Sequence, residues 1–117
     1  MLSLVSYSLW GISEDARLFR EAERRYRNGD YQFALSRYEK LIREYPTSEY
    51  TADARFRRGV IFFRVGKVEN AVDSLERVAS RYAYTRFSSR IPFWLGVSYY
   101  TLEKYEKGLD NFSRFLE

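Results

Sequence analysis

The chain of 117 residues contains no cysteine and no histidine. Without thiols there is no disulfide framework and no thiolate chemistry. Without imidazole it lacks the commonest acid–base catalyst and the usual zinc ligands. No phosphate-cradling glycine loop, nucleophile–base arrangement or metal-ligand spacing stands anywhere in it. Long apolar runs are missing too. The uncharged start, residues 1–13 (MLSLVSYSLWGIS), is shorter than the roughly 20 residues that cross a bilayer. It has the apolar core of a secretory leader but not the positive leading segment. Two readings stay open for it: a trimmed leader, or an extra strand or helix covering the start of the folded domain, with Leu9, Trp10 and Ile12 buried. Membrane contact is expected only if this segment is an anchor. Taken together, the absences point away from catalysis, so no cofactor, metal or small-molecule substrate is expected.

What is present argues for a packed domain. Hydrophobic residues make up 45% and aromatics 19%, too much apolar surface for a disordered chain. The net charge is +4, with 16 arginines against 4 lysines. A modest excess is ordinarily a solvated face. The functional alternative is a partner with acidic groups, because arginine's planar fork pairs with carboxylates and phosphates.

Sliding the sequence along itself reveals a step of 37 residues. Phe19, Phe56 and Phe93 share it, as do Ala22, Gly59 and Gly96. So do Tyr26, Phe63 and Tyr100, then Tyr31, Val68 and Tyr105, then Ala34, Ala71 and Gly108. Within each step, apolar residues recur at three- and four-residue spacing, the mark of a buried helical stripe. Helices are predicted over about residues 14–27, 31–44, 51–64 and 68–81, then from near Ser89 and from near Lys104 to the end. Ser13, Asp30 and the Thr47-Ser48 pair are the expected N-caps, Pro46 ends the second helix, and Pro92 fits a first helical turn. The repeats therefore cover about 14–48, 51–85 and 88–117. The last ends inside its second helix, leaving Phe112, Phe115 and Leu116 without a following repeat. Such an apolar end marks either a cut or an end-to-end interface between copies, a homodimer through the third repeat.

Leu95-Gly96-x2-Tyr99, Ala34-x3-Tyr38, Ala71-x3-Leu75 and Gly108-x3-Phe112 resemble the tetratricopeptide repeat. So do the turn Asn28-Gly29-Asp30-Tyr31 and the closing Pro46. The resemblance covers about residues 14–117 and implies an all-α, right-handed superhelical stack of three helix-turn-helix units. It departs in period, 37 and not 34, and in Glu21 and Arg25, which stand where apolar residues are usual. The longer period and YPTSEYTADARF resemble a bacterial subset found in outer-membrane assembly lipoproteins and periplasmic cell-division coordinators. That subset implies a periplasmic or cell-envelope setting, with the cytoplasm as the alternative.

The resemblance also implies a non-catalytic scaffold that holds a protein or peptide on the concave wall of first helices. Transferred residue by residue, that wall comprises Phe19, Glu23, Tyr26 and Arg27, then Asp53, Phe56, Val60, Phe63 and Arg64. The third repeat adds Arg90, Phe93, Val97, Tyr100 and Thr101. Two aromatic ladders result, flanked by arginines, suited to a peptide with acidic groups. Each ladder equally suits packing between successive helices. Single-stranded nucleic acid is the rival ligand, since stacked aromatics and arginines also bind bases; against it, acids are interspersed throughout.

Overall fold

A computed structural model describes residues 11–81 and 85–117. The first ten residues of the expected start segment, Leu9 and Trp10 among them, lie outside the described residues. Six α-helices follow one another: α1 (Glu14–Arg27), α2 (Tyr31–Glu44), α3 (Thr51–Arg64), α4 (Val68–Arg81), α5 (Ile91–Thr101) and α6 (Tyr105–Leu116). They pack as three antiparallel pairs, and α2 and α4 also pack against the first helix of the next pair. The result is an all-α stack with extents of 51 × 27 × 20 Å. Among the described residues, no helix is long and apolar enough to cross a membrane.

The 37-residue step is visible in the backbone. The turn inside each pair places Gly29, Gly66 and Glu103 in left-handed geometry, with φ of 80°, 87° and 62°. In each, the left-handed residue's own amide bonds back into the helix: Gly29 N–H to Tyr26 O, Gly66 N–H to Phe63 O, Glu103 N–H to Tyr100 O. The next amides, those of Asp30, Lys67 and Lys104, reach the carbonyls of Arg25, Phe62 and Tyr99. This double closure satisfies carbonyls that a helix end would leave bare.

Packing within each pair sets a small residue against a large one. A Cβ added to Gly59 would lie 2.8 Å from Leu75 Cγ, and one added to Gly96 would lie 2.7 Å from the Phe112 ring. In the first pair Ala22 and Tyr38 stand at the same steps, both fully buried. The core continues between pairs. Ile61 and Ala54 of α3 join Leu18, Phe19, Leu41 and Ile42 in one cluster. Phe56, Val60, Leu75 and Val78 join Phe87, Ile91, Leu95 and Tyr99 in the next.

The expected N-caps are corrected. Ser13 and Asp30 occupy the positions before α1 and α2, but neither side chain bonds a free helix amide. Asp30 instead faces Arg25 at 3.2 Å. Ser48 lies ahead of α3, and its hydroxyl is used within the connection. A short 3-10 turn, Ser88–Arg90, precedes α5, so the α-helix expected from near Ser89 begins at Ile91.

Candidate functional site

The connections between pairs brace the wall made by α1, α3 and α5. In the first, Ser48 Oγ accepts the Tyr50 N–H at 3.1 Å and donates to Asp15 Oδ2 at 2.6 Å. In the second, Thr85 Oγ1 accepts the Phe87 N–H at 3.0 Å and donates to Asp53 Oδ1 at 2.6 Å. A hydroxyl that folds the chain around itself in this way is a local turn device. Here it also ties the connection to the preceding first helix. The aromatic it presents then stacks on that helix: Tyr50 on Phe19 with centroids 5.0 Å apart, Phe87 on Phe56 at 4.7 Å. Burial disfavours the Asp15 carboxylate, but hydrogen bonds from Ser13, Ser48 and Ala16 hold its pKa below the usual value.

That geometry corrects part of the expected wall. Phe56 and Val60 are fully enclosed between α3, α4 and α5, and Phe19 is 4% exposed. Each is covered by a connection or a neighbouring helix, so these three are core and not ligand surface. Asp53 is buried as well. Its carboxylate is occupied by Thr85, by the Arg86 N–H and by the Arg86 guanidinium at 2.7 Å. Phe93 is half-buried and packs against Trp94, Phe112 and Phe115.

The second ladder stays at the surface. Tyr26 and Phe63 are half-buried and Tyr100 is exposed. Arg57 lies over the Tyr26 and Phe87 rings, each at 4.4 Å, and donates through Nε to Glu23 Oε1 at 2.8 Å. Tyr38 OH donates to the same Glu23 oxygen. Burial alone would lower the Arg57 pKa, but the bond to Glu23 and its charge raise it. Tyr38 is pushed well above its ordinary value by burial and then by Glu23. Glu23 is therefore a tie between the first two repeats.

From Arg57 the strip continues along the wall. Arg64 donates through Nε to Tyr26 OH at 3.2 Å and lies 5.2 Å from the Trp94 ring, which meets Phe63 edge-on. Val97 is half-buried, while Arg27, Arg90 and Thr101 are exposed. At the other end is a cleft of about 510 Å³ lined by Phe19, Arg20, Glu23, Arg24, Arg27, Tyr50 and Arg86. Sequence reasoning passed over Arg20, Arg57 and Trp94, although they stand one residue after the Phe19, Phe56 and Phe93 ladder at the same 37-residue step. It likewise passed over Tyr50 and Phe87, which share that step.

Three acids on the second helices have partners. Asp73 faces Arg77 at 3.3 Å and Glu44 lies 3.8 Å from Arg43. Glu76 accepts from Tyr99 OH at 2.6 Å; burial and this bond push Tyr99 up to about 12. Asn111, within the glycosylation-like triplet Asn111-Phe112-Ser113, is buried and donates to Lys107 O at 2.9 Å. It offers no free amide for modification.

A family model described as the tetratricopeptide repeat matches residues 19–86, more than half of the chain. No curated protein matches it.

Proposed function

The chain belongs to the tetratricopeptide repeat family, whose members mediate protein–protein interaction as non-catalytic scaffolds, and from that premise we propose that it holds a segment of a partner protein along the wall of α1, α3 and α5. The observation that carries this is the continuous strip of guanidinium and ring surface from the cleft through Arg57, Tyr26 and Arg64 to Trp94. Its acids are tied internally and Arg57 is held against the Tyr26 and Phe87 rings, while Arg64 and the arginines of the cleft face outward. Interfaces are rich in arginine, tyrosine and tryptophan for the same reasons: large contact area and several donors on few side chains. The setting we assign, from the apolar start and the longer period, is a bacterial envelope.

Photo-crosslinking tests the wall. A benzoylphenylalanine placed at exposed Thr101 should trap a discrete partner protein in source cells, while one at exposed Arg81 on α4 should not. Equal adducts from both positions, or adducts from Arg81 alone, would overturn the wall.

A second reading rests on the outer face of α6. There Tyr105, Leu109, Phe115 and Leu116 are exposed, Leu116 at 81%. At the steps of α2 and α4 equivalent to Phe115, Leu41 and Val78 are enclosed by the next pair. Self-association through this face would make Leu109→Arg shift a dimer to monomer in analytical ultracentrifugation. A chain that sediments as a monomer at high concentration would end that reading.

A further inference from the structure

We infer that the partner segment is acidic, with carboxylates on alternate residues of an extended stretch, and that Arg20, Arg24 and Arg27 receive it at the cleft. This rests on the scaffold reading above and names its chemistry. The three arginines sit at i, i+4 and i+7 of α1, one stripe of the helix, and all three are exposed. None forms an ion pair with a described residue, whereas the acid that lines the cleft and the one paired with its Arg86 are occupied. Glu23 is held by Arg57 and Tyr38, and Asp53 by Arg86 and Thr85. Residues 1–10 and 82–84 contain no aspartate or glutamate, so no side-chain carboxylate outside the described residues neutralises the row. The cleft thus gathers three uncompensated cations beside the half-buried Tyr50 ring, which covers Phe19, with Arg86, paired to Asp53, on its margin.

The spacing fits such a stretch. Arg20 and Arg24 are about 6 Å apart along the axis at 1.5 Å per residue. Side chains on one face of an extended chain recur every ~6.7 Å. A Glu-x-Glu stretch therefore meets both guanidiniums, and bidentate carboxylate pairing adds geometric selectivity to charge. Nucleic acid fits less well, because binding single strands needs open ring faces. Phe19 is covered by Tyr50, while Tyr26 carries Arg57 over its ring.

The test uses a fluorescein-labelled (Glu-Ala)n peptide, its (Gln-Ala)n counterpart and a labelled oligothymidylate, read by anisotropy with the whole chain. The native chain should bind the glutamate peptide and not the glutamine peptide, and binding should weaken as salt rises. The combined variant Arg20→Gln, Arg24→Gln, Arg27→Gln should bind at least tenfold more weakly. A charge-matched control, Arg43→Gln, Arg77→Gln, Arg81→Gln on α2 and α4, should bind as the native chain does. No binding of the glutamate peptide, equal loss in both variants, or tighter oligothymidylate binding would each overturn the inference. If these fail while Thr101 still crosslinks a partner, only the acidic chemistry is lost. If crosslinking fails as well, the scaffold reading goes with it.

Discussion

The first and third pairs share one backbone and differ in chemistry. Nine of the fourteen residues of α1 are charged, from Glu14 to Arg27, whereas α5, with the sequence IPFWLGVSYYT, carries no charge at all. In the first two pairs the wall is fastened by polar ties, Asp15–Ser48, Glu23–Arg57 and Asp53–Thr85. In the third, rings and an apolar edge take over, with Phe93 meeting Trp94, Phe112 and Phe115. The lesson is that a repeat conserves backbone closure and small–large packing, and leaves the solvent-facing positions free to diverge. One end of the wall is cationic, the other aromatic.

The largest effect should separate the two ends within one ladder. Phe56 is fully enclosed and stacked by Phe87, so Phe56→Ala should cost about 3–5 kcal/mol in urea unfolding. Phe93→Ala, at a half-buried site, should cost less than half as much. Equal losses would mean that Phe93 is as enclosed in solution as Phe56. Next comes small–large packing, common to all pairs. At Gly96 a methyl group would meet the Phe112 ring at 2.7 Å, and Gly96→Ala should destabilise by roughly 1–3 kcal/mol. An unchanged melting temperature would show that Phe112 swings aside, making the third pair looser than the others.

The turns sharpen the comparison on a smaller scale. Glu103 holds the left-handed conformation that glycine holds at residues 29 and 66, which costs an L-residue about 1–2 kcal/mol. Glu103→Gly should therefore raise stability, by less than about 1 kcal/mol once glycine's greater unfolded-state freedom is counted. Gly66→Ala should lower it by a similar amount. No gain from Glu103→Gly would mean that the local interactions of Glu103 repay its backbone strain.

How much of this was legible depends on whether a feature repeats with itself or with something distant. The bounds of α1 to α4 follow from Pro46, Gly29, Gly66 and the apolar stripe, all local signals, and family membership follows from the same columns. The burial of Phe19 and Phe56 was not legible, because a core and a groove both produce a ladder. What decides between them is Tyr50 and Phe87, residues of connections that periodicity arguments treat as filler. Asp53 reads as a wall carboxylate until Thr85, 32 residues on, takes its oxygen. Glu23 is likewise claimed by Arg57 from 34 residues away. The arginine row at Arg20, Arg24 and Arg27 was legible as helical spacing, but its lack of partners was not.

The second ladder is probed at its two ends, and the smallest expected effect of all falls at Tyr100. Tyr26 is half-buried, carries Arg57 at 4.4 Å over its ring and accepts from Arg64. Tyr100, two steps along, is 58% exposed and touches mainly Tyr105, with centroids 5.1 Å apart. Tyr26→Ala should cost about 1–2 kcal/mol, since a desolvated cation–π contact and a hydrogen bond go together. Tyr100→Ala should stay within about 0.5 kcal/mol, as exposed substitutions do. The informative reading pairs stability with crosslinking from Thr101. If Tyr100→Ala leaves the melt unchanged and abolishes the adduct, the exposed ring belongs to the partner, because the fold has no other use for it. If it lowers the melt as much as Tyr26→Ala does, the aromatic end is packed in solution, and the chemical difference between the two ends of the wall is smaller than the structure makes it.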